Sequence, residues 1–572
     1  MKPKKAEKPA ATKPAGSASW WQPYAWIAAA VVLVFWAYGP ALNGAFVFDD
    51  TVLPYARPGM SPHLSDWMQV RPALMFSYWV TKQIAGPEST YPFHVINLLI
   101  HLSAVGLMFL VVRKLLEMAG VDASRRTLLA GFAAGVFLLH PAMSEAVAYT
   151  AGRSESFCAM WMLAALAVFL YRPRTEASWT TVAAVFLLFG LAVASKENAV
   201  ALPAVLLLTD YWWNPGFSFT GIRGNWRLYL PMAAGGAVAV VLFRGLITGG
   251  SGAGFGIGIT WYQYLFTEFR GLLVYIQEFL APYNLTADWY FPISRTITDH
   301  GAVAGLVVLL ALLGAAWYFR RRFPLASYGF LVYLILMAPT SSLIPIKDPV
   351  AERRLYASVL GLLLIAVDLL SRMRVDRRKL TIGFAVVLLA CAIGTRSRAA
   401  VWADDHTFWA DTVQKAPESA RAHFHMGFVW YEERRYGDAL REYQQAATLE
   451  PATLDLLLDW GEVYLADGQP EQALAKFQQS AMIEQSAHIY TQIAAADAQM
   501  KRWQDAMNAL DTAQKLDPNF AYTYVYRGLV HLANTQCAEA VQDFTKALAL
   551  DPANEQARTG MQQAKACLAG AH

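Results

Sequence analysis

Residues 91–112 read YPFHVINLLIHLSAVGLMFLVV, a run with no acidic or basic side chain apart from His94 and His101. At about 1.5 Å per helical residue it is long enough to cross a hydrocarbon core of about 30 Å. Working outward, comparable apolar runs occupy residues 24–40, 127–143, 156–171, 179–195, 198–213, 229–248, 302–319, 325–343, 355–371 and 380–395, which makes eleven expected spans. Composition agrees. Hydrophobic residues make up 56% of the 572 and charged residues 16%, against about 45–50% and about 25% in a soluble domain. A wholly soluble protein is excluded. The net charge of +4 is too small to argue for nucleic acid, and four of the first eight residues are lysines. Four cysteines exclude a disulfide-built scaffold, and the scattered His and carboxylates indicate no metal.

Basic residues orient the spans, because Lys and Arg in short loops stay on the cytoplasmic side. Lys2 to Lys13, Arg113 with Lys114, Arg125, Arg126, Arg172, Arg174, Arg223, Arg227, Arg320 to Arg322 and Arg372 to Lys379 share one side if the first span runs outward. That places the N-terminus in the cytoplasm. For the same reason the stretch 262–290 is expected to be re-entrant or to lie along the outer face. Residues 1–18, rich in Lys, Pro and Ala, are expected to be a disordered basic cytoplasmic tail without a cleavable signal.

After residue 396 the composition turns soluble and repetitive. Ala439, Ala473, Ala506 and Ala540 recur at intervals of 34, 33 and 34, and Gly427 with Gly461 and Pro518 with Pro552 recur at 34. This is tetratricopeptide spacing: a small residue lets the two helices of a unit approach closely, and Pro ends the second. The expected organisation is all-α: a polytopic membrane domain over 19–396 with a first outer loop at 41–90, then about four repeats and a capping helix over 397–572. Such a solenoid offers a concave surface to a protein or peptide. Cys537 and Cys567 come level if the capping helix returns antiparallel. In an oxidising outer compartment they would form a disulfide worth roughly 3 kcal/mol.

The unusual polar groups of the membrane half fall at the outer ends of the spans. Asp49, Asp50, Arg71, His94, Glu145, Arg153, Lys196, Glu197, Glu352, Arg353 and Arg354 can converge on one outer cavity at the lipid boundary. These groups suit glycosyl transfer from a lipid-linked donor. The attacking hydroxyl needs a carboxylate as base, and the departing lipid phosphate needs cations. Adjacent carboxylates alternate direction in an extended loop, so one of Asp49 and Asp50 is expected to face the substrate.

Seven motifs, "FVFDD", "RPALMFSYW", "FHVINLLIH", "HPAMSEAVAYTAGRSES", "SKENAVALPAVLLLTDYW", "LAPYNLTADW" and "AERRLYASVLG", occur in that order ahead of the repeats. In this the chain resembles the transmembrane and tetratricopeptide repeat-containing (TMTC) family. The resemblance implies a GT-C type fold and protein O-mannosyltransferase-like activity, moving a sugar from a polyprenyl phosphate to Ser or Thr of an exported protein. It implies that the acidic pair is catalytic, with Asp49 the first choice of base. Arg153, Lys196, Arg353, Arg354 and Arg71 are then expected at the donor phosphate, and His94, Glu145, Glu197 and Glu352 in positioning the substrate. His101, deeper in its span, is expected to be a packing group. No cofactor is expected beyond the lipid-linked sugar, and the partners are membrane lipid, that donor and the exported acceptor. By analogy the Ala-rich composition and short repeat array point to a bacterial inner membrane with periplasmic repeats. Two other readings remain open: a non-catalytic membrane-anchored scaffold, and an oligosaccharide ligase using a pyrophosphate-linked donor.

Overall fold

The computed structural model describes residues 22–57, 60, 63–68, 70–86, 89–248 and 253–570, with the side chains of 22–23, 238–248 and 570 not described. The expected 1–18 tail lies outside the described residues. These residues form two compact units, one ending at Asp404 and one running from Asp405 onward together with Asp288–Tyr290. The described residues contain helices and no strand; a single isolated bridge joins Ala253 and Ile346.

The first unit runs through α1 (Gln22–Ala37), α2 (Pro72–Ala85), α3 (Tyr91–Met118), α4 (Ala123–Leu139), α5 (Ser144–Ala148), α6 (Arg153–Leu170), α7 (Trp179–Val193) and α8 (Leu202–Trp213). It continues with α9 (Thr220–Gly224), α10 (Trp226–Thr248), α11 (Trp261–Leu280), α12 (Ala302–Tyr318), α13 (Pro324–Met337), α14 (Leu355–Arg372) and α15 (Arg377–Ala400). Helices form on all eleven apolar runs, but among the described residues only five are long and apolar enough to cross a membrane, or six if the bent pair α4 and α5 is one span. The shorter ones fall below a straight crossing: twelve residues in α8 reach only about 18 Å. Apolar length in sequence therefore overstates crossing length, because turns consume its ends.

The 58° bend between α4 and α5 follows from Pro141, which cannot donate to the preceding turn and pushes His140 to an extended conformation. His140 holds the corner, accepting from Ala142 N and reaching Phe279 O at 3.0 Å. The bend delivers Glu145 to the interior, where it is 1% exposed. Gly152 then turns the chain into α6; a Cβ there would lie 2.3 Å from Glu145 O, so no other residue fits. Helix α11 differs from the apolar helices. Tyr264, Thr267, Glu268, Gly271, Tyr275 and Glu278 form one buried stripe at helical spacing, and the opposite face carries exposed Trp261, Tyr262 and Leu280.

The second unit opens with α16 (Asp405–Lys415) and continues as helix pairs: α17 (Ala420–Glu432) with α18 (Tyr436–Leu449), α19 (Leu454–Ala466) with α20 (Pro470–Ile483), α21 (Ala487–Gln499) with α22 (Trp503–Leu516), and α23 (Ala521–Ala533) with α24 (Cys537–Leu550), closed by α25 (Glu555–Gly570). Ser419, Thr453 and Ser486, one repeat apart, cap three of the first helices by accepting from the backbone N of Ala422, Leu456 and Ile489. Each such cap contributes about 1 kcal/mol. Ala439, Ala473, Ala506 and Ala540 are all fully buried. A Cβ at Gly427 would come 2.4 Å from the Tyr443 ring, and at Gly461 2.4 Å from the Phe477 ring, so the same close approach recurs one period on. At the far end Cys537 and Cys567 are joined by a disulfide with Cα atoms 5.8 Å apart. Denatured without reductant, the protein is expected to titrate two thiols, Cys158 and Cys391, and four after reduction.

Candidate active site

The loop after α1 turns sharply at Phe48, whose φ of 54° is unusual for a bulky residue and stores about 1–3 kcal/mol of strain. The next two residues diverge: Asp49 is exposed and Asp50 is 1% exposed. Asp50 Oδ1 accepts from Tyr55 Oη at 2.7 Å and from Ala151 N at 2.7 Å, tying the loop to the turn between α5 and α6. Around Tyr55 pack Trp67, Leu74, Tyr78 and Phe93, with ring centroids of Tyr55 4.7 Å from Tyr78 and 5.0 Å from Phe93. The loop is thus built onto the ends of α2 and α3.

Burial pushes the Asp50 carboxyl up to about 7; the Tyr55 and Ala151 hydrogen bonds oppose the rise and the Asp49 charge adds to it. Unfolded, the same carboxyl would lose its proton near 4. Between those values the folded chain holds a proton that the unfolded chain releases, so this group's contribution to stability falls as pH rises through about 4 to 7. Asp50→Asn should flatten the stability profile across that window, as read by denaturant unfolding at pH 5 and pH 8.

Tyr149 links Arg353 electrostatically to the acidic pair. Tyr149 feels the charges of Asp50, Asp49, Arg353 and Glu145; it is 2% exposed, and its hydroxyl has no hydrogen-bond partner among the described residues. Arg353 Nη1 donates to Glu145 Oε1, and its backbone N donates to Glu145 Oε2 at 2.7 Å, with the Arg353 side chain 21% exposed. Lys196 Nζ reaches Glu155 Oε1 at 2.6 Å and is 13% exposed. Burial lowers the Lys196 ammonium, Glu155 opposes that, and Arg71 and Arg353 are near enough for their charges to lower it further. Arg71, in the left-handed region at φ 50°, holds Glu197 by two bonds of 3.0 and 2.9 Å at the surface. Burial raises the Glu197 carboxyl, but Arg71 outweighs it and holds it below its usual value. Arg71 with Glu197, Lys196 with Glu155, and Arg353 with Glu145 thus form one group of linked charges, and Tyr149 feels both Arg353 with Glu145 and the acidic pair.

Four other sequence-selected residues sit elsewhere. Arg153 is fully buried with its donors spent on protein: Nε donates to Asn97 Oδ1 at 2.6 Å, Nη1 to Thr81 Oγ1 at 2.9 Å and Nη2 to Phe93 O at 2.9 Å, with the guanidinium 4.5 Å from the Tyr78 ring centre. It fastens α2, α3 and α6 beneath the acidic pair, since a buried guanidinium must spend its donors on protein acceptors. Arg354 turns the other way, donating to Pro349 O and, at 2.6 Å, to Asp348 O. Glu352 is fully buried, 3.5 Å from Arg398 Nη2. His94 is 3% exposed and lies against Gly44 O at 3.4 Å, so it packs below the rim. His101 is satisfied by Tyr356 Oη at 2.7 Å and Leu138 O at 3.1 Å, a packing role.

Sequence reasoning passed over Tyr149 and Glu278. Glu278 is 1% exposed, its oxygens have no hydrogen-bond partner among the described residues, and it feels Glu352, Glu145 and Arg398. The 264–268–271–275–278 periodicity carried the signal for an inward polar face on α11. No group of three or more His, Cys, Asp or Glu among the described residues is placed to hold a metal ion.

No protein-family model matches the chain. Curated relatives do. A protein O-mannosyl-transferase of Caenorhabditis elegans is 23% identical over 446 residues, covering 73% of this chain and 61% of its own length. Protein O-mannosyl-transferase TMTC3 of Mus musculus is 22% identical over 523 residues, covering 81% of this chain and 55% of its own. Protein O-mannosyl-transferase TMTC1 of Homo sapiens is 24% identical over 494 residues, covering 74% and 55%. The similarity to TMTC proteins read from the ordered motifs thus extends over most of this chain, which spans between half and two thirds of these relatives' length. Among solved structures, a MamA protein is 21% identical over 27% of this chain and 84% of its own, with a TM-score of 0.24. The TPR protein YrrB is 19% identical over 32% and 90%, with a TM-score of 0.25. The repeat assignment rests on the spacing and packing within this chain.

Proposed function

We propose that this chain is a membrane glycosyltransferase of GT-C type that moves mannose or another hexose from a polyprenyl-phosphate donor to Ser or Thr of an exported protein held by the repeats. The observation that carries the reading is the divergence of Asp49 and Asp50: one carboxylate open, the next locked to Tyr55 and Ala151, with Arg353, Lys196 and Arg71 grouped nearby. Asp49 takes the proton of the acceptor hydroxyl as its oxygen bonds to the anomeric carbon. The bond from that carbon to the phosphate oxygen breaks, its electron pair leaving with the lipid phosphate. Arg353, Lys196 and Arg71 hold the charge that develops. Asp50 fixes the loop so that Asp49 faces the acceptor, and Arg153 braces the floor. The apolar helices embed the unit, with the acidic pair and the repeats on the outer, periplasmic side of a bacterial inner membrane.

Mass spectrometry of exported proteins from cells with and without this chain tests the reading. Hexose on Ser or Thr that disappears with the chain supports it. An unchanged glycan profile, with the chain expressed and its repeats able to capture a partner, favours the scaffold.

A further inference from the structure

The second unit carries a group of carboxylates that its own cations leave unpaired. Helix α19 presents Asp455, Asp459 and Glu462, and Glu432 ends α17 beside them. None of the four takes part in an ion pair among the described residues. The cation on the paired helix, Lys476, is placed over the Trp460 ring at 3.4 Å instead.

Glu462 is held in place by Gln492 of α21, whose Nε2 donates to Oε1 at 2.7 Å, leaving Oε2 free of that bond. Its charge reaches Tyr431 of α17, Tyr443 of α18 and Tyr526 of α23, so one carboxylate faces rings from three other helices. Tyr443 is fully buried, feels Asp459 and Glu462 most among the charges around it, and its hydroxyl has no hydrogen-bond partner among the described residues. A buried hydroxyl beside half-buried carboxylates, with no bond of its own, is costly unless something else completes it. Burial first, and after it the charges of Glu462 and Asp455, push the Asp459 carboxyl up to about 7.

In a stacked-repeat unit the helices of successive repeats build one extended binding surface, and α17, α19, α21 and α23 are the first helices of the successive repeats here. Phe428 of α17 and Tyr522 of α23 are each 45% exposed on these same helices. We propose that this face binds an extended peptide segment bearing lysine or arginine, its cation seated between Asp459 and Glu462 against the tyrosine rings and its flanks on Phe428 and Tyr522. Charge complementarity selects that occupant: a cation supplies what the crowded carboxylates lack, and tyrosine faces add attraction for it. An acidic segment would meet repulsion at every position. The proposal deepens the acceptor-recruitment part of the proposed function and rests on it for its biological role, but binding requires neither donor nor transfer.

The test uses the full-length protein in neutral detergent and fluorescence anisotropy with two labelled peptides of equal length, one alternating Lys and Ser and one alternating Glu and Ser. The Lys–Ser peptide should bind, weaken as salt rises, and lose about tenfold or more in affinity with Asp459→Asn/Glu462→Gln, while Glu539→Gln on α24 leaves it unchanged. Asp459→Lys/Glu462→Lys provides the second variant: with both carboxylates that seat the cation reversed, it should abolish Lys–Ser binding and admit Glu–Ser, a reversal that misfolding cannot produce. Equal binding of both peptides by the wild type, or undiminished Lys–Ser binding by the double variant, would overturn the proposal. Because no sugar donor is present, either result is independent of whether the membrane unit transfers sugar.

Discussion

Asp49→Asn is expected to lower sugar transfer by about 100-fold or more while leaving donor binding largely intact. Asparagine keeps the size of the side chain and one acceptor oxygen but cannot take a proton at neutral pH. Asp49 is exposed and outside the bonds that lock the loop, so its loss should not disturb the fold. Asp50→Asn should behave differently. Its Oδ1 accepts from both Tyr55 and Ala151, and an amide oxygen can still do so. Transfer should therefore fall less than with Asp49→Asn, through a shift of the loop rather than loss of the base. Single-turnover transfer and donor binding, measured separately on each variant, separate the two roles. Equal losses of transfer would assign the base to neither residue alone.

Arg353→Ala should be the most damaging change on the cationic side, because two effects combine. It removes the group proposed to hold the donor phosphate, and it leaves Glu145, 1% exposed, without the guanidinium that balances it. Removing one partner of a buried pair costs about 3–5 kcal/mol. Loss of activity in the single variant would therefore mix folding with function. Arg353→Ala combined with Glu145→Gln removes both charges and should recover much of the stability while donor binding stays weak. Lys196→Ala with Glu155→Gln offers the same comparison on the neighbouring pair. Recovery of donor binding together with stability would reduce these cations to structural locks.

What the sequence disclosed, and what it did not, follows from range. The apolar run at 91–112 and the 33–34 residue period are local, and helices stand on both. The divergence of Asp49 and Asp50 was expected from alternation in an extended loop, but it arises in a short 3-10 turn, Phe48–Val52, where adjacent side chains are rotated by about 120°. The fates of the arginines were not readable. Arg153 and Arg353 each sit in a polar motif near the end of a span, yet one is walled in by Asn97, Thr81 and Phe93 and the other stays partly open above Glu145. That difference is set by residues 56 to 208 positions away in the chain. Arg354, one residue on in the same 3-10 turn, points elsewhere because adjacent side chains there are rotated by about 120°. The inward face of α11 was written in its periodicity, but the reading was drawn toward a re-entrant or surface segment by the basic-loop count, which would put Arg320 to Arg322 outside if the stretch crossed.

The central claim is that the acidic pair of the first outer loop performs sugar transfer. The most direct measurement compares purified wild type with the Asp49→Asn, Asp50→Asn double variant, both folded by thermal unfolding in the same detergent or lipid, using a polyprenyl-phosphate mannose donor and a protein acceptor with exposed Ser and Thr. The account predicts transfer by the wild type and a loss of at least about 100-fold in the double variant. Equal transfer by the two would contradict it.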